Sequence, residues 1–195
     1  MATAVAAGRV SPEQAFEFGI VLSAISFALL ASAVNVLTAV LALVGNLFYV
    51  VVYTGYLKRS TDQNIVIGGA AGAVPPLVGY AAASGDLALP AVCLFLIVFL
   101  WTPPHFWALA LMLKEHYTAA NVPMLPGTRG EGETRRQILL YSLVLVAFTL
   151  VVGVWLGALY TVAAGILGAY FLLLALFVAL FVGACLVAVL YLQVD

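Results

Sequence analysis

The sequence predicts an all-α, polytopic transmembrane helix bundle of about six spans, and three observations lead there. Hydrophobic residues make up 66% of the 195-residue chain and charged residues 8%, which leaves too little polar surface to coat a soluble domain. The apolar residues gather at 14–34, 36–55, 64–84, 87–113, 137–157 and 160–192. Each stretch is close to the length that a helix rising ~1.5 Å per residue needs to cross ~30 Å of hydrocarbon. Finally, the basic residues occupy only alternate gaps. Arg9 precedes the first stretch, Lys58 and Arg59 follow the second, and Lys114, Arg129, Arg135 and Arg136 follow the fourth. The gaps around Asn35, Asp86 and Leu159 hold no basic residue. This is the positive-inside pattern, which places the basic loops in the cytoplasm and starts the bundle inside.

The first span opens at Ser11-Pro12-Glu13-Gln14, with Ser11 as N-cap, Pro12 at the first helical position and Gln14 returning the capping bond. The small, apolar, weakly basic segment before it is similar to the start of a signal peptide. The cap nevertheless places the start of the membrane helix near Pro12, and no cleavage site is predicted. Glu13 and Glu17, four apart on one helix face, read as a solvated first turn favoured by the helix dipole, or as an imitation of a metal pair. The last stretch, Tyr160 to Asp195, carries no charge before its final residue and fits one long tilted helix or two helices folded at Gly183. Cys93 and Cys185 lie inside apolar stretches as small buried hydrophobes, so neither a disulfide nor a zinc site is expected. A net charge of -1 gives no argument for a nucleic-acid partner. No internal repeat or low-complexity linker divides the chain, which reads as a single domain over 1–195.

Polarity persists against its cost in three places. In the first, Asn46, Tyr49, Tyr53 and Tyr56 recur at three- and four-residue spacing, so a helix would align them on one face leading to Lys58 and Arg59. Ser60, Thr61 or Asp62 can then cap a new helix, whose free N–H groups and positive dipole end join the basic pair in an anion site suited to phosphate or diphosphate. The plainer reading is an interfacial aromatic belt with two topology-setting cations. The second is Trp101-Thr102-Pro103-Pro104-His105-Phe106-Trp107, where adjacent prolines are expected to break the helical ladder and line a cavity. His105 lies nine residues before Lys114, or ~13 Å of helix, which sets it near mid-membrane. It is either a hydrogen-bonded core histidine or a contact for a ligand such as heme or another flat aromatic ring. The third is the loop 114–136. Its stop signals Asn121, Pro123, Pro126, Gly127 and Gly130 predict a turn-rich cap more than a helix, with Arg135 and Arg136 opening the next span.

Together these segments resemble the heme O synthases, the protoheme IX farnesyltransferases of the UbiA-type intramembrane prenyltransferase superfamily. The matching strings are GRVSP at 8–12, YTGYLKRSTDQNIVIGGAAGAVPPLVGY at 53–80, WTPPHFWALAL at 101–111, and Tyr117 through NVPMLP to TRRQI at 134–138. The resemblance implies a bundle of about nine helices in the cell (inner) membrane. It also implies transfer of a farnesyl group from farnesyl diphosphate to a vinyl of heme B, giving the hydroxyethylfarnesyl side chain of heme O for terminal oxidases. Membrane lipid and terminal oxidase assembly factors are the further partners it suggests. Lys58 and Arg59 are then the catalytic cations, and Tyr53, Asn64, Trp101, His105, Tyr117 and Arg135 the substrate contacts. Tyr49, Tyr53, Trp101 and Trp107 are expected to line the cavity.

The family's Mg²⁺ is held by an Asn- and Asp-rich motif that lies, with two helices, before the GRxSP string. Here GRVSP begins at Gly8, so relative to the family the chain is expected to be N-terminally short. His116 stands where the family has an aspartate in its second motif, next to Glu115, and the family's charged loop before the final span has no counterpart. Asp62, Glu115 and His116 are the remaining metal candidates. Two alternatives stay open: a prenyltransferase acting on a quinone precursor, and a non-catalytic bundle that binds heme or assembles with an oxidase. A transporter is disfavoured because no buried acidic relay is visible in the spans.

Overall fold

The protein is described here by a computed structural model, which covers residue 8 and residues 10–192, without the side chains of 181–192. Arg9, the Cys185 side chain and Asp195 lie outside the described residues. The elements are α1 (Pro12–Ala33), α2 (Val36–Ser60), α3 (Asn64–Ser84), α4 (Leu89–Met112), α5 (Lys114–Ala119), α6 (Leu125–Thr128), α7 (Gly130–Leu156) and α8 (Ala158–Leu192). Six of these helices are long and apolar enough to cross a membrane, α8 through its portion Ala158–Leu180, so this is a multi-pass membrane protein. No strand occurs among the described residues.

Short connections force successive spans into antiparallel contact. The principal neighbours are α1 with α2, α2 with α3, α3 with α4, α4 with α7, and α7 with α8. The ends are set by local chemistry. Ser11 Oγ accepts from Gln14 N at 3.2 Å while Gln14 Oε1 accepts from Ser11 N at 3.2 Å, the reciprocal cap expected for α1. Asn35 caps α2 by accepting from Thr38 N at 2.8 Å, and its Nδ2 donates to Ala81 O at 2.9 Å, tying the start of α2 to the last turn of α3. Between α7 and α8 a single residue, Gly157, turns the chain at φ +97, a conformation that disfavours any Cβ.

The tightest packing lies where α3, α4, α6, α7 and α8 meet. Ile65, Trp107, Ala110, Met124, Leu125, Ile138 and Ala175 form one buried cluster there. By contrast, α1 buries no side chain. A face of Phe, Ile, Val and Leu left open on a helix of this length suits hydrocarbon, where backbone groups are already satisfied within the helix.

Three boundaries differ from those the sequence suggests. The second span runs on to Ser60, so Lys58 and Arg59 belong to its last turn rather than to a following loop. The 114–136 segment is more helical than its stop signals indicate. It holds two short helices, and α7 already begins at Gly130, because Thr134 is fully buried and returns its hydroxyl to Gly130 O at 2.8 Å. The last stretch is one helix, Ala158–Leu192, with no fold at Gly183.

Candidate functional site

A partly open cavity of about 780 Å³ lies between α2, α3 and α4. That volume is within the usual range for small-molecule and cofactor sites. Asn46, Tyr49 and Tyr53 line it from α2, Gly68, Gly69, Gly72 and Pro75 from α3, and Trp101, Thr102 and Phe106 from α4. The α2 wall is unusual, because Phe48–Leu57 winds as a π-helix, whose wider i→i+5 turn is rare and recurs at functional sites. Thr54 Oγ1 donates to Tyr49 O at 2.9 Å within it. Tyr49 and Tyr53 stack at 5.4 Å along this wall. Tyr56, by contrast, is exposed and absent from the lining. The wider turn explains the departure from the expected single face: four-residue spacing stays aligned on it and three-residue spacing does not.

The α3 wall sets glycines among Ile65, Ala71, Val74, Pro75 and Val78. An added Cβ at Gly68 would sit 2.2 Å from Cδ2 of Tyr53, so only glycine lets that ring lie against the helix. Pro75 and Pro76 have no N–H, and the carbonyls four residues earlier, those of Ala71 and Gly72, both belong to lining residues. This proline pair and the glycines beside it belong to a string that carries the family resemblance, but no residue after Asn64 in that string was expected at the site. The signal was present in GGAAGAVPP, where small residues and imino acids coincide in one span.

On α4 the two prolines do not interrupt the helix, which is continuous from Leu89 to Met112. They nonetheless divide its surroundings. Trp101 is 40% exposed and lines the cavity, whereas Trp107 is 1% exposed and packs edge-to-face on Tyr141 at 5.4 Å, on the far side of the helix. The expectation that Trp107 lines the cavity is therefore corrected: its ring is taken up by the buried cluster with Ile65 and Leu125, against Tyr141. His105 stacks on Trp101 at 4.2 Å and meets Phe106 edge-on at 5.4 Å. It is exposed and not part of the lining, one turn beyond Trp101 on the same helix face.

Among the described residues no basic residue lines the cavity, but the turn that carries Lys58 and Arg59 leads directly into the α3 wall. Ile65 of the lining adjoins Asn64, whose Nδ2 donates to Lys58 O at 3.3 Å and to Pro123 O at 3.1 Å. Asn64 is fully buried, so it is placed to brace the chain rather than to touch a substrate. Its Oδ1 is buried without a donor, a situation that costs about 1–3 kcal/mol. The anticipated caps from Ser60, Thr61 and Asp62 do not form. Gln63 holds the cap position of α3 with no side-chain bond, Ser60 returns its hydroxyl to Tyr56 O, and Thr61 Oγ1 accepts from Gln63 N.

Most of the described cations are already neutralised. Arg129 Nε donates to Asp62 Oδ2 at 2.6 Å, and this bond raises the guanidinium pKa further, so Arg129 stays charged. Lys114 and Arg135 share Glu131 at 3.0 Å each, and Arg136 pairs with Glu133 at 3.3 Å. Arg135 is thus committed to a carboxylate, with its Nε buried and unfilled. Tyr117 packs half-buried against the Ile65–Trp107 cluster. Among the described residues, Lys58 and Arg59 are the cations without a carboxylate partner. Lys58 is half-buried and Arg59 exposed.

The expected metal set does not assemble. Among the described residues no three His, Cys, Asp or Glu side chains gather to hold an ion. Asp62 is occupied by Arg129, with Thr128 Oγ1 donating to it at 3.4 Å, while Glu115 and His116 are exposed on α5. Sequence spacing gave no warning of the Asp62–Arg129 pair, because its partners are 67 residues apart.

Comparison with known proteins places this arrangement. Curated protoheme IX farnesyltransferases are similar to the chain: one from Synechocystis sp. is 55% identical over 174 residues, covering 88% of this chain and 55% of its own length. Another, from Symbiobacterium thermophilum, is 64% identical over 140 residues, covering 72% and 47%, and one from Gloeobacter violaceus is 56% identical over 168 residues, covering 85% and 55%. The chain therefore spans about half the length of the curated relatives it matches. No solved structure matches it. The UbiA prenyltransferase family model matches residues 2–183, nearly the whole chain, and the chain belongs to that family.

Proposed function

We propose that this chain takes part in the transfer of a farnesyl group from farnesyl diphosphate to a vinyl group of heme B, giving heme O, in the inner membrane with its basic loops in the cytoplasm. One observation carries the reading. Lys58 and Arg59, which have no carboxylate partner among the described residues, follow Tyr49 and Tyr53 of the apolar, aromatic cavity wall on the same helix, and the turn that carries them leads to Ile65 of the opposite wall. The names of the similar proteins support the heme acceptor and the prenyl donor class.

The chemistry suits these residues. Breaking the allylic carbon–oxygen bond places negative charge on the departing diphosphate, and donors fixed where that charge develops stabilise the transition state. Lys58 and Arg59 have no competing carboxylate to displace. The allylic cation left behind is shielded by an apolar, water-poor wall, and the ring faces of Tyr49, Tyr53 and Trp101 attract positive charge. The vinyl π bond then forms the new carbon–carbon bond, and one water adds to the resulting cation beside the porphyrin and gives up a proton, which leaves the hydroxyl of heme O. His105, stacked at the rim on Trp101, is the group placed to meet an entering porphyrin. Mg²⁺ would add charge neutralisation at the diphosphate when bound. The described carboxylates do not form a set for it, so no step here is routed through the ion.

The test is to express the chain in membranes, supply heme B, farnesyl diphosphate and Mg²⁺, and search for farnesylated heme by mass spectrometry. A form carrying upstream coding sequence is run in parallel. Product from either form supports the reading. Heme binding that depends on His105, without product from either form, supports a non-catalytic heme-binding bundle instead.

A further inference from the structure

We propose that Asn64 is a positioning residue that locks the Lys58–Arg59 turn to the cap formed by residues 114–129, so that the basic pair is held in place by a segment distant in sequence. The argument starts from unmet hydrogen bonds. The last carbonyls of any helix lack an intrahelical donor, and Lys58 O is one of these at the end of α2. Asn64 Nδ2 supplies the donor at 3.3 Å and serves Pro123 O at 3.1 Å, a contact spanning 59 residues. Its backbone N–H donates to Thr61 O at 3.3 Å. One fully buried amide therefore closes the α2–α3 turn and fastens it to the cap.

No other side chain bonds the Lys58 or Pro123 carbonyls among the described residues. The neighbouring tie, Arg129 to Asp62, is half-exposed and exchangeable with water. The apolar anchors of the cap, Met124 and Leu125, pack on Ile65 and Trp107 but supply no polar partner to Lys58 O. Loss of the Asn64 amide would thus take the donor from both the backbone beneath Lys58 and the Pro123 end of the cap, while Met124 and Leu125 keep their apolar contacts.

The kinetic part of this inference rests on the proposed farnesyl transfer; the structural part does not. The experiment compares Asn64→Leu, close in size and uncharged, with Lys58→Ala and the double variant in lipid nanodiscs. It records amide hydrogen exchange at 57–61 and 120–126 together with kcat and KM for farnesyl diphosphate. Asn64→Leu is expected to raise exchange in both segments about tenfold and to lower kcat/KM about tenfold, whereas Lys58→Ala lowers kcat/KM without moving exchange in the cap. The double variant should lose clearly less turnover than the two single losses combined, because Asn64 acts in part through Lys58. Additive kinetic losses, or unchanged exchange in Asn64→Leu, would overturn the proposal. If Asn64→Leu fails to accumulate, Asn64→Ser, smaller and with a single donor, takes its place under the same criteria. If the unmodified protein transfers no farnesyl group, the activity reading fails while the exchange measurement still decides the structural claim.

Discussion

The two sides of α4 differ as much as two separate proteins would. On one side Trp101, Thr102 and Phe106 face a cavity of about 780 Å³ against a glycine-rich stretch of α3. On the other, Trp107 and Ala110 are sealed into a cluster with Leu125 and Ile138, each at most 3% exposed. The same string supplies both, so aromatic content alone does not separate a binding wall from a packed core. The separation comes from what lies opposite. Side chains of Leu, Met and Ile pack into the cluster with Trp107, whereas Trp101 shares the cavity wall with Gly68, Gly69 and Gly72, which bring no side chain into it.

This contrast predicts opposite responses to truncation. Trp107→Ala should cost about 3–5 kcal/mol, read as a large fall in the unfolding midpoint in detergent, because a sealed site cannot collapse around the void. Gly68→Ala comes next. The new methyl would collide with the Tyr53 ring, so stability should fall by about 1–3 kcal/mol and turnover should fall with it as the ring is driven into the cavity. A Gly68→Ala protein with unchanged turnover would show that the Tyr53 wall is not part of the working site. Trp101→Ala should change stability by less than about 1 kcal/mol yet weaken heme binding several-fold, because a partly exposed ring contributes little to packing and much to a planar ligand. A heme titration followed by absorbance checks it. The smallest effect belongs to Asp62→Asn. It removes an ion pair with a half-exposed arginine, so stability should move by no more than about 1 kcal/mol, and the Mg²⁺ concentration giving half-maximal rate should stay where it was. A marked shift in that concentration would mean that Asp62 is a metal ligand after all.

Much of the fold was legible because it depends on local chemistry. Six spans follow from apolar length and the start of α1 from Ser11, Pro12 and Gln14. The candidate site was legible only in part. Tyr49, Tyr53 and Trp101 line the cavity as expected, but Trp107 is taken into the buried cluster, and Tyr56 leaves the face it was expected to share because the π-helix widens the turn. Asp62 looked like a free carboxylate near the basic pair. Its engagement by Arg129 is a tertiary event that a residue 67 positions away decides. Asn64 was expected as a substrate contact, and its full burial with its amide on the Lys58 and Pro123 carbonyls was not visible from spacing. In each miss the residue type was read correctly and the partner could not be seen from the sequence.

The central claim is that Lys58 and Arg59 form the diphosphate end of the aromatic cavity, and replacing both by alanine tests it most directly. Farnesylated heme is measured by mass spectrometry over a farnesyl diphosphate titration, with helix content and unfolding midpoint recorded on the same samples. Two cations without carboxylate partners carry no ion pair for stability, so the fold should be unchanged while kcat/KM falls about 100-fold or more, in line with removal of charge-stabilising donors. A double variant that folds normally and transfers farnesyl at the unmodified rate would contradict the account.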